Sequence, residues 1–299
     1  MTPTVSIIIP TYGNPAFLNN SIKSVLNQSF KDWELIIVDD NDPNSSFRKQ
    51  TQNIVNSYSD DRIKYILHPR NQNGAVARNT GIRESRGKYI SFLDSDDEYL
   101  PNRLKKCVEV LDDQEKEYAG VYTGCEFRQS GKTYNRYTDI HDGNFLVDTL
   151  ACKFMFCTGS NIFMRREIIE EIHGFDESFK RHQDYEFLVR IFTKYSLKAI
   201  PEILVIKNNE NVNLPDVNKM WDIKRQYLSN FSYIIEQLPK KDQNFIYHSN
   251  YISLAEQCQR QGKIKKANEF YNKASKYYNL TQTEWKRRIL LPFLKYIRK

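Results

Sequence analysis

Short apolar runs alternate with helix-like patterns over the first hundred residues of the chain. The continuous apolar runs predict buried strands at residues 5–9, 35–38, 63–67 and 89–93. The segments between them predict helices at residues 18–26, 45–58 and 75–85. Pro101 opens a further helix, at a position where its missing N–H costs nothing. Because parallel strands are buried on both faces and need helical crossovers, this pattern predicts an α/β fold with a doubly wound parallel sheet.

The middle of the chain is less regular. It contains strand-like segments at 120–127, 159–164 and 199–206 and helix-like segments at 166–172 and 185–192. We expect it to continue the first domain, which then covers residues 1–214. After Pro215 the composition shifts to helices rich in Tyr, Asn, Gln and Lys, so residues 215–299 are predicted to form a helical C-terminal region.

One stretch of this C-terminal region has the spacing of a helical hairpin. Its small and aromatic positions resemble those of a tetratricopeptide unit and are Ala255, Gly262, Ala267, Phe270 and Ala274. A single unit cannot make an array, so a plain helical pair is the simpler interpretation.

The last fifteen residues, "WKRRILLPFLKYIRK", combine apolar and aromatic side chains with six basic residues and no acidic one. This basic amphipathic tail is typical of a segment that binds an anionic membrane surface. A docked C-terminal helix with solvated lysines explains it equally well.

Composition limits the classes of protein. The chain has 299 residues, of which 40% are hydrophobic, and this is enough for a sizeable core. It contains no apolar run long enough to span a membrane and no basic signal-peptide start, so a cytoplasmic location is expected. The five cysteines are scattered and predict neither a disulfide framework nor a zinc site, so they are interpreted as reduced. The net charge of +7 is compatible with an anionic partner such as a nucleotide, a phospholipid or a nucleic acid.

Polar side chains gather at the carboxyl ends of three predicted strands. They are Pro10, Thr11 and Tyr12, then Asp39 and Asp40, then Asp94, Ser95 and Asp96. Ligands of parallel α/β sheets bind beyond these strand ends, so one site could collect all three groups.

The pair Asp94 and Asp96 has no basic neighbour in the sequence. Carboxylates concentrated at a strand end are suited to hold a divalent metal ion. The alternative is a cluster that caps the helix at Pro101, a part that Asp97 or Glu98 could play.

At this point three segments resemble the inverting glycosyltransferase family 2 of bacterial surface-glycan type, which has the GT-A (Rossmann-like) fold. They are "VSIIIPTYGNPAFLNNSIKSVLNQSFKDWELIIVDDNDP", "NQNGAVARNTGIRESRGKYISFLDSDD" and "HGFDESFKRHQDYEFLVRI". They occur in the family's order and spacing and cover about residues 4 to 210. The resemblance implies a GT-A domain with a helical C-terminal extension.

The resemblance also implies a donor site for a UDP-sugar. Asp96 would ligate Mn²⁺ or Mg²⁺, and Asp94 would face the ribose or sugar of the donor. Asp39 would accept a hydrogen bond from uracil N3–H, although Asp40 and its neighbours also suit a strand-end turn. The remaining implied donor-site residues are Pro10, Thr11 and Tyr12 at the base, Ser95 between the two aspartates, and Asn71 and Arg78 near the nucleotide, with Arg78 reaching the pyrophosphate or bracing the aspartates.

On the acceptor side the resemblance implies that Asp184 is the catalytic base. The family's "ED" pair reads Gln183-Asp184 here, which removes a negative charge beside the base. His182 is interpreted as a surface or acceptor-facing residue. Gly159 and Ser160 match a stretch that often lines the acceptor side, although a strand-entry turn explains them almost as well. Where many relatives carry a metal-shell His, this chain has Asn208, Asn209 and Glu210.

The implied function is metal-dependent transfer of a sugar from a UDP-sugar to a hydroxyl of a glycan or lipid-linked acceptor. No nucleic-acid partner is expected, and a homo-oligomer is left open. One alternative is a non-catalytic scaffold with this fold. Another is a haloacid-dehalogenase-type phosphatase, but its motif needs Thr or Val where Glu98 stands and normally lies near the N-terminus.

Overall fold

The computed structural model describes residues 2–114, 116–157, 159–208 and 215–297. The chain forms two units, Met1–Asn144 with Met155–Val212, and Phe145–Phe154 with Asn213–Lys299. The sequence pattern places residues 145–154 in the first domain, whereas the structure groups them with the C-terminal helices.

Strands and helices alternate through the first unit. Within the described residues the strands are β1 (Val5–Thr11), β2 (Trp33–Asp39), β3 (Ile63–Leu67), β4 (Tyr89–Phe92), β5 (Glu98–Tyr99), β6 (Tyr118–Gln129), β7 (Lys132–Tyr137), β8 (Phe163–Arg165) and β9 (Ser196–Asn208). The helices of both units are α1 (Leu18–Leu26), α2 (Ser46–Asn56), α3 (Gly74–Glu84), α4 (Arg103–Asp112), α5 (Leu146–Leu150), α6 (Arg166–Glu171), α7 (Gln183–Phe192), α8 (Val217–Asn230), α9 (Ser232–Gln237), α10 (Lys240–Arg260), α11 (Ile264–Ala274) and α12 (Gln282–Ile297).

All of these strands belong to one mixed sheet. Its order is β3-β2-β1-β4-β8-β6-β9-β5, with β7 paired to β6. The β3-β2-β1-β4 half is parallel, as predicted. The rest of the sheet is mixed, because β8 runs antiparallel to β4 and β6, and β5 runs antiparallel to β9. The two-residue strand β5 is too short to leave a recognisable pattern in the sequence, whereas β8 overlaps the predicted strand-like segment 159–164.

Apolar side chains cover both faces of the parallel half. On one face Ile7 and Leu35 lie in the same buried cluster as Leu18 of α1 and Leu104 of α4. Each such aliphatic side chain contributes roughly 1.5–3 kcal/mol when it is fully buried. On the other face α3 packs so closely that a Cβ at its Gly81 would overlap the side chain of Ile8.

Parallel strands bring their carboxyl ends to one edge. Thr11 and Asp39 are paired in register at the ends of β1 and β2, and β4 runs in the same direction and ends at Phe92, opposite Ile8 of β1. The chain then forms β5, which pairs with β9 through Glu98 and Ile206. This pairing brings the end of β9 to the segment that follows β4.

The second unit contains the expected helical hairpin. Helices α10 and α11 share a buried cluster that includes Ala255, Ala267, Phe270 and Ala274. Gly262 makes the turn between them with a positive φ of 74°, a conformation that costs glycine little.

The first part of α12 is docked within this unit. Glu284 Oε1 lies 3.2 Å from His248 Nε2 of α10, and Arg288 Nε donates to Asn268 Oδ1 of α11 over 3.0 Å. These contacts support the docked interpretation for this part of the helix. Membrane binding by the tail stays a prediction. In the part of the chain that the structure describes, each helix is too short or too polar to cross a bilayer.

The prediction that all five cysteines are reduced is wrong. Cys125 of β6 and Cys157 are joined by a disulfide across 32 residues of sequence. Cys107, Cys152 and Cys258 are free. The sequence could not reveal this pair because only the fold brings the two positions together.

Candidate active site

Three carboxylates lie together immediately after β4. Asp94, Asp96 and Asp97 each offer an oxygen atom, and these atoms all lie within 4.8 Å of one another. The turn is closed by the N–H of Asp97, which donates to the backbone oxygen of Asp94 over 3.0 Å. The Asp96 side chain is 47% exposed, whereas that of Asp97 is fully buried. Asp97, which from the sequence suits only a helix cap, belongs to the carboxylate cluster.

A lysine side chain enters this cluster from β9. Lys207 Nζ lies 3.3 Å from Asp97 Oδ1 and 3.8 Å from both Asp94 Oδ2 and Asp96 Oδ1. The aspartates, which have no basic neighbour in the sequence, therefore have one in space. Sequence reasoning missed Lys207 because it is separated from Asp97 by 110 residues, and only the pairing of β9 with β5 brings the two together.

Asn208, next to Lys207, also binds this turn. Its Nδ2 donates to the backbone oxygen of Asp96 over 2.8 Å, and its N–H donates to Asp97 Oδ1 over 3.2 Å. Of the three residues considered at the family's His position, Asn208 therefore supports the acidic turn. Asn209 and Glu210 lie outside the described residues.

The electrostatics of the cluster follow from burial and mutual charge. Burial raises the pKa of Asp97 to about 7, although Lys207 opposes the increase. Burial also raises the pKa of Asp96, against the opposing charge of Lys207 and with the repulsion of Asp94. Burial alone lowers the pKa of Lys207, but the three carboxylates outweigh it and the pKa is raised. Lys207 is therefore a fixed positive charge in this site.

Arg78 of α3 connects the carboxylate cluster to α7. Its Nη2 donates to Asp94 Oδ1 over 2.8 Å, and its Nη1 donates to Gln183 Oε1 over 3.0 Å. The side chain is buried. Burial alone lowers the pKa of Arg78, but the charges of Asp184 and Asp94 raise it by more. The structure thus places Arg78 as a brace between the two acidic parts of the site.

Asp184 lies in the first turn of α7. Its Oδ1 is buried and accepts no hydrogen bond within the described residues. Burial raises its pKa, Arg78 and Lys207 act in the opposite direction, and Asp94 adds to the increase. A raised pKa makes a carboxylate a stronger base, and an oxygen without a donor can accept a proton.

Gly159 and Ser160, which precede β8, complete the surroundings of these carboxylates. A Cβ on Gly159 would lie 2.9 Å from Asp184 Oδ1, so glycine leaves the room that this carboxylate occupies. Ser160 Oγ donates to Asp97 Oδ2 over 2.6 Å and accepts from the N–H of Asp94 over 2.9 Å. Gly159 therefore lies against Asp184, and Ser160 joins Asp94 to Asp97.

His182, which precedes Asp184, has a left-handed backbone with φ of 59° at the start of α7. Its ring lies edge-on to Tyr185, with 5.7 Å between the ring centroids. Ser95 is held through its backbone oxygen, which accepts from Ser21 Oγ over 3.0 Å. His182 thus lies close to Asp184 in the chain, and Ser95 lies next to Asp96.

The end of β2 is more enclosed than the sequence suggests. Asp39 is fully buried; its Oδ1 accepts from Asn41 N–H and Nδ2, each over 2.9 Å, and its Oδ2 lies 3.2 Å from Arg48 Nε and accepts from Tyr65 Oη. In this structure Asp39 therefore orders the strand end through its own neighbours. The uracil contact implied for Asp39 stays a prediction.

Asp40 holds the loop that leads into α3. It accepts from Asn71 Nδ2 over 3.0 Å, from Gln72 N–H over 2.8 Å and from Asn73 N–H over 3.0 Å. Asn71 is thereby fixed at the strand ends. Asp40 is a positioning residue that the sequence analysis interpreted as turn chemistry.

Beyond β1 the chain presents an aromatic ring. Pro10 is partly buried and Thr11 is buried, but Tyr12 is 66% exposed. An exposed aromatic residue at the carboxyl edge of the sheet can stack on a flat ring.

Comparison with known proteins now identifies the family. Residues 6–173 match the family model described as glycosyl transferase family 2. The chain belongs to this family.

Two relatives within the family are each 30% identical to this chain over the aligned residues. The chain is 30% identical over 209 residues to an uncharacterized glycosyltransferase of Rickettsia prowazekii, covering 68% of this chain and 63% of that protein. It is 30% identical over 181 residues to the GalNAc(5)-diNAcBac-PP-undecaprenol beta-1,3-glucosyltransferase of Campylobacter jejuni, covering 58% of this chain and 57% of that protein. The chain thus spans about three fifths of the length of these relatives.

Solved structures confirm the predicted fold. S. aureus TarS 1-349 in complex with UDP has a TM-score of 0.56 at 15% identity, covering 93% of this chain and 91% of that one. The same protein in complex with UDP-GlcNAc has a TM-score of 0.56 at 16% identity, covering 96% and 92%. The GT-A, Rossmann-like fold with a helical extension is therefore established for this family member.

Proposed function

We propose that this protein transfers a sugar, with inversion, from a UDP-sugar to a hydroxyl of a glycan or lipid-linked acceptor in surface polysaccharide synthesis. Family membership supports glycosyl transfer. The UDP and UDP-GlcNAc complexes of TarS support the donor class, and the undecaprenol-linked substrate in the name of the Campylobacter relative supports the acceptor class.

The observation that carries the proposal is that Arg78 contacts both parts of the site. It donates to Asp94, which belongs to the carboxylate cluster with Asp96 and Asp97, and to Gln183, which directly precedes Asp184. Inverting transfer needs two such parts, because the leaving diphosphate and the attacking hydroxyl act on opposite faces of the anomeric carbon.

On the acceptor side Asp184 is the catalytic base. Its partly buried carboxylate takes the proton of the acceptor hydroxyl while the hydroxyl oxygen bonds to the anomeric carbon. The bond from that carbon to the diphosphate breaks with both electrons, and UDP leaves. The raised pKa of Asp184 brings its basicity closer to that of the hydroxyl oxygen.

On the donor side Tyr12 stacks on the base, with Pro10, Thr11 and Asp39 around it. Asn71 and Ser95 border the ribose and diphosphate. These assignments rest on the positions of the strand ends and on the family resemblance.

The three clustered carboxylates are chemically suited to Mg²⁺ or Mn²⁺, because both cations prefer oxygen ligands. Asp96, the most exposed of the three, is the proposed ligand, supported by Asp94 and Asp97. Such an ion would neutralise negative charge on the diphosphate.

The test separates donor binding from transfer. Asp184→Asn should keep UDP affinity and lose sugar transfer, whereas Asp96→Ala should lose the metal-dependent part of UDP affinity. Release of UDP from a panel of UDP-sugars with Mn²⁺, together with calorimetry, measures both. Asp222→Asn, an exposed aspartate of α8, is the matched control and should behave as wild type.

Equal UDP release by the wild type and Asp184→Asn would contradict the enzyme proposal. If tight binding of a partner protein accompanied that result, the scaffold alternative would be favoured.

The basic tail supports a further part of the proposal, association with the inner face of a membrane that carries the acceptor. Trp285 and Ile289 of α12 are exposed. The full-length protein should sediment with anionic liposomes at low salt and not with neutral ones. Indifference to liposome charge would refute this association.

A further inference from the structure

Lys207 places a positive charge where a divalent ion would bind. Its ammonium group lies within 3.8 Å of oxygens from all three clustered carboxylates, the same atoms that would hold a divalent ion. The side chain is only 20% exposed. An ammonium group and a metal ion placed among these oxygens draw on the same negative charge.

The backbone around Lys207 is held firmly. β9 pairs with β6 through Lys207 and Phe127, and with β5 through Ile206 and Glu98. The next residue, Asn208, is hydrogen bonded to Asp96 and Asp97. The ammonium group therefore projects from a rigid strand, as a preorganised charge should.

The other cation of the site is already committed. Arg78 donates to Asp94 and Gln183 and braces α3 against α7. A nucleoside diphosphate that approaches the carboxylate cluster adds further negative charge, and Lys207 places its ammonium group next to all three of these carboxylates. Lysine is well suited to this task, because it binds phosphate as a point charge with three rotatable donors.

We infer that Lys207 binds the donor's diphosphate directly and supplies a built-in positive charge, so that the nucleotide binds without a divalent ion. The inference rests on the proposed function, since it concerns the same donor site. It modifies that function by making the metal an aid to donor binding and not a condition for it.

Calorimetry of UDP binding, once in a buffer with Mn²⁺ and once in a buffer with EDTA, tests this inference on the wild type and on variants of Lys207. The wild type should bind UDP in EDTA with a Kd within about tenfold of its value in Mn²⁺. Lys207→Met should weaken binding in EDTA by about tenfold or more, the effect of losing a charged hydrogen bond. Lys207→Arg should retain most of the affinity.

Two controls separate a binding role from a structural one. Lys198→Met removes a lysine from the same strand, where it pairs with Asp142, and should leave UDP affinity unchanged. Uridine lacks the diphosphate, so Lys207→Met should bind it as the wild type does.

The outcomes are distinct. Wild-type binding that requires Mn²⁺ would overturn the inference and leave the proposed function standing. Unchanged UDP affinity of Lys207→Met in EDTA, or loss of uridine binding as well, would also overturn it. Failure of the wild type to bind UDP in either buffer would overturn the proposed donor, and the inference with it.

Discussion

Gln183 accepts a hydrogen bond from Arg78 over 3.0 Å, where the common family pattern has an acidic residue. The same guanidinium donates to Asp94 over 2.8 Å. The amide of Gln183 is neutral, whereas Asp94 and Asp184 are the carboxylates whose charges act on Arg78. The charge of Arg78 in turn lowers the pKa of Asp184 against the effect of burial. We therefore expect Gln183 to affect the pKa of Asp184 through the arginine that the two residues share.

The substitution Gln183→Glu should move the acidic limb of the pH profile upward. A second carboxylate beside Asp184 disfavours its ionised form and competes for Arg78, and both effects raise the pKa of the base. Activity requires the ionised base, so it should fall at a higher pH than in the wild type. We expect the acidic limb of the kcat/KM profile to move upward by about one pH unit.

The control for this experiment is Gln50→Glu, an exposed position on α2, which should leave the profile in place. An unchanged or lowered limb in Gln183→Glu would show that Asp184 is not the titrating base.

Gly159→Ala should reduce turnover and spare donor affinity. The added Cβ would lie 2.9 Å from Asp184 Oδ1, and the carboxylate, as the end of a flexible side chain, would move away. Misplacement of a catalytic group by about 1 Å can cost on the order of 100-fold in rate. Steady-state kinetics and UDP calorimetry measure the two effects. A large loss of UDP affinity would place Gly159 in the donor site instead.

Tyr12→Ala should weaken UDP binding by roughly ten- to a hundredfold, because stacking of a base on an aromatic ring contributes about 1–3 kcal/mol. Thermal stability should be unchanged, since the Tyr12 side chain is 66% exposed. Tyr233→Ala removes another exposed tyrosine, in α9, and serves as the matched control. Equal UDP affinity of the two variants would remove Tyr12 from the base site.

Arg48→Met should destabilise the fold. Arg48 is the buried partner of Asp39 and also donates to the backbone oxygen of His68 over 2.7 Å. Loss of one member of a buried ion pair costs roughly 3–5 kcal/mol of the free energy of unfolding. Urea denaturation measures this value. Lys64→Met breaks an exposed pair with Glu84 and should cost about 1 kcal/mol or less. Similar losses in both variants would mean that the Asp39–Arg48 pair contributes no more than a surface contact.

The parallel half of the sheet could be predicted because local patterns specify it. The strand at 63–67 agrees with β3 to the residue, and the helix at 75–85 agrees with α3 to within one residue. Each of these elements buries apolar side chains, and burial leaves a pattern in the sequence. In the mixed half, the predicted segments 120–127, 159–164 and 199–206 overlap β6, β8 and β9, but the two-residue strand β5 was not predicted. The pairing order of these strands was not predicted either, because it depends on contacts between positions far apart in the chain.

In the candidate site, too, some residues could be predicted from the sequence and others could not. Asp94, Asp96 and Asp184 stand in motifs that can be read from neighbouring residues, as does the polar group that contains Tyr12. Lys207 stands in no motif, and its partners are more than a hundred residues away in the chain. The bond between Cys125 and Cys157 was missed for the same reason.

Short-range patterns of burial and charge encode the family, the parallel core and the acidic residues of the candidate site, so these follow from the amino-acid sequence. How the charges of the site are compensated depends on the fold. It enclosed Asp39 with Arg48, joined Asp94 to Gln183 through Arg78, and placed Lys207 among Asp94, Asp96 and Asp97. Two charges pair only when they lie within a few ångströms of each other. The pairing of strands sets these distances, whereas the separation of two residues along the chain does not.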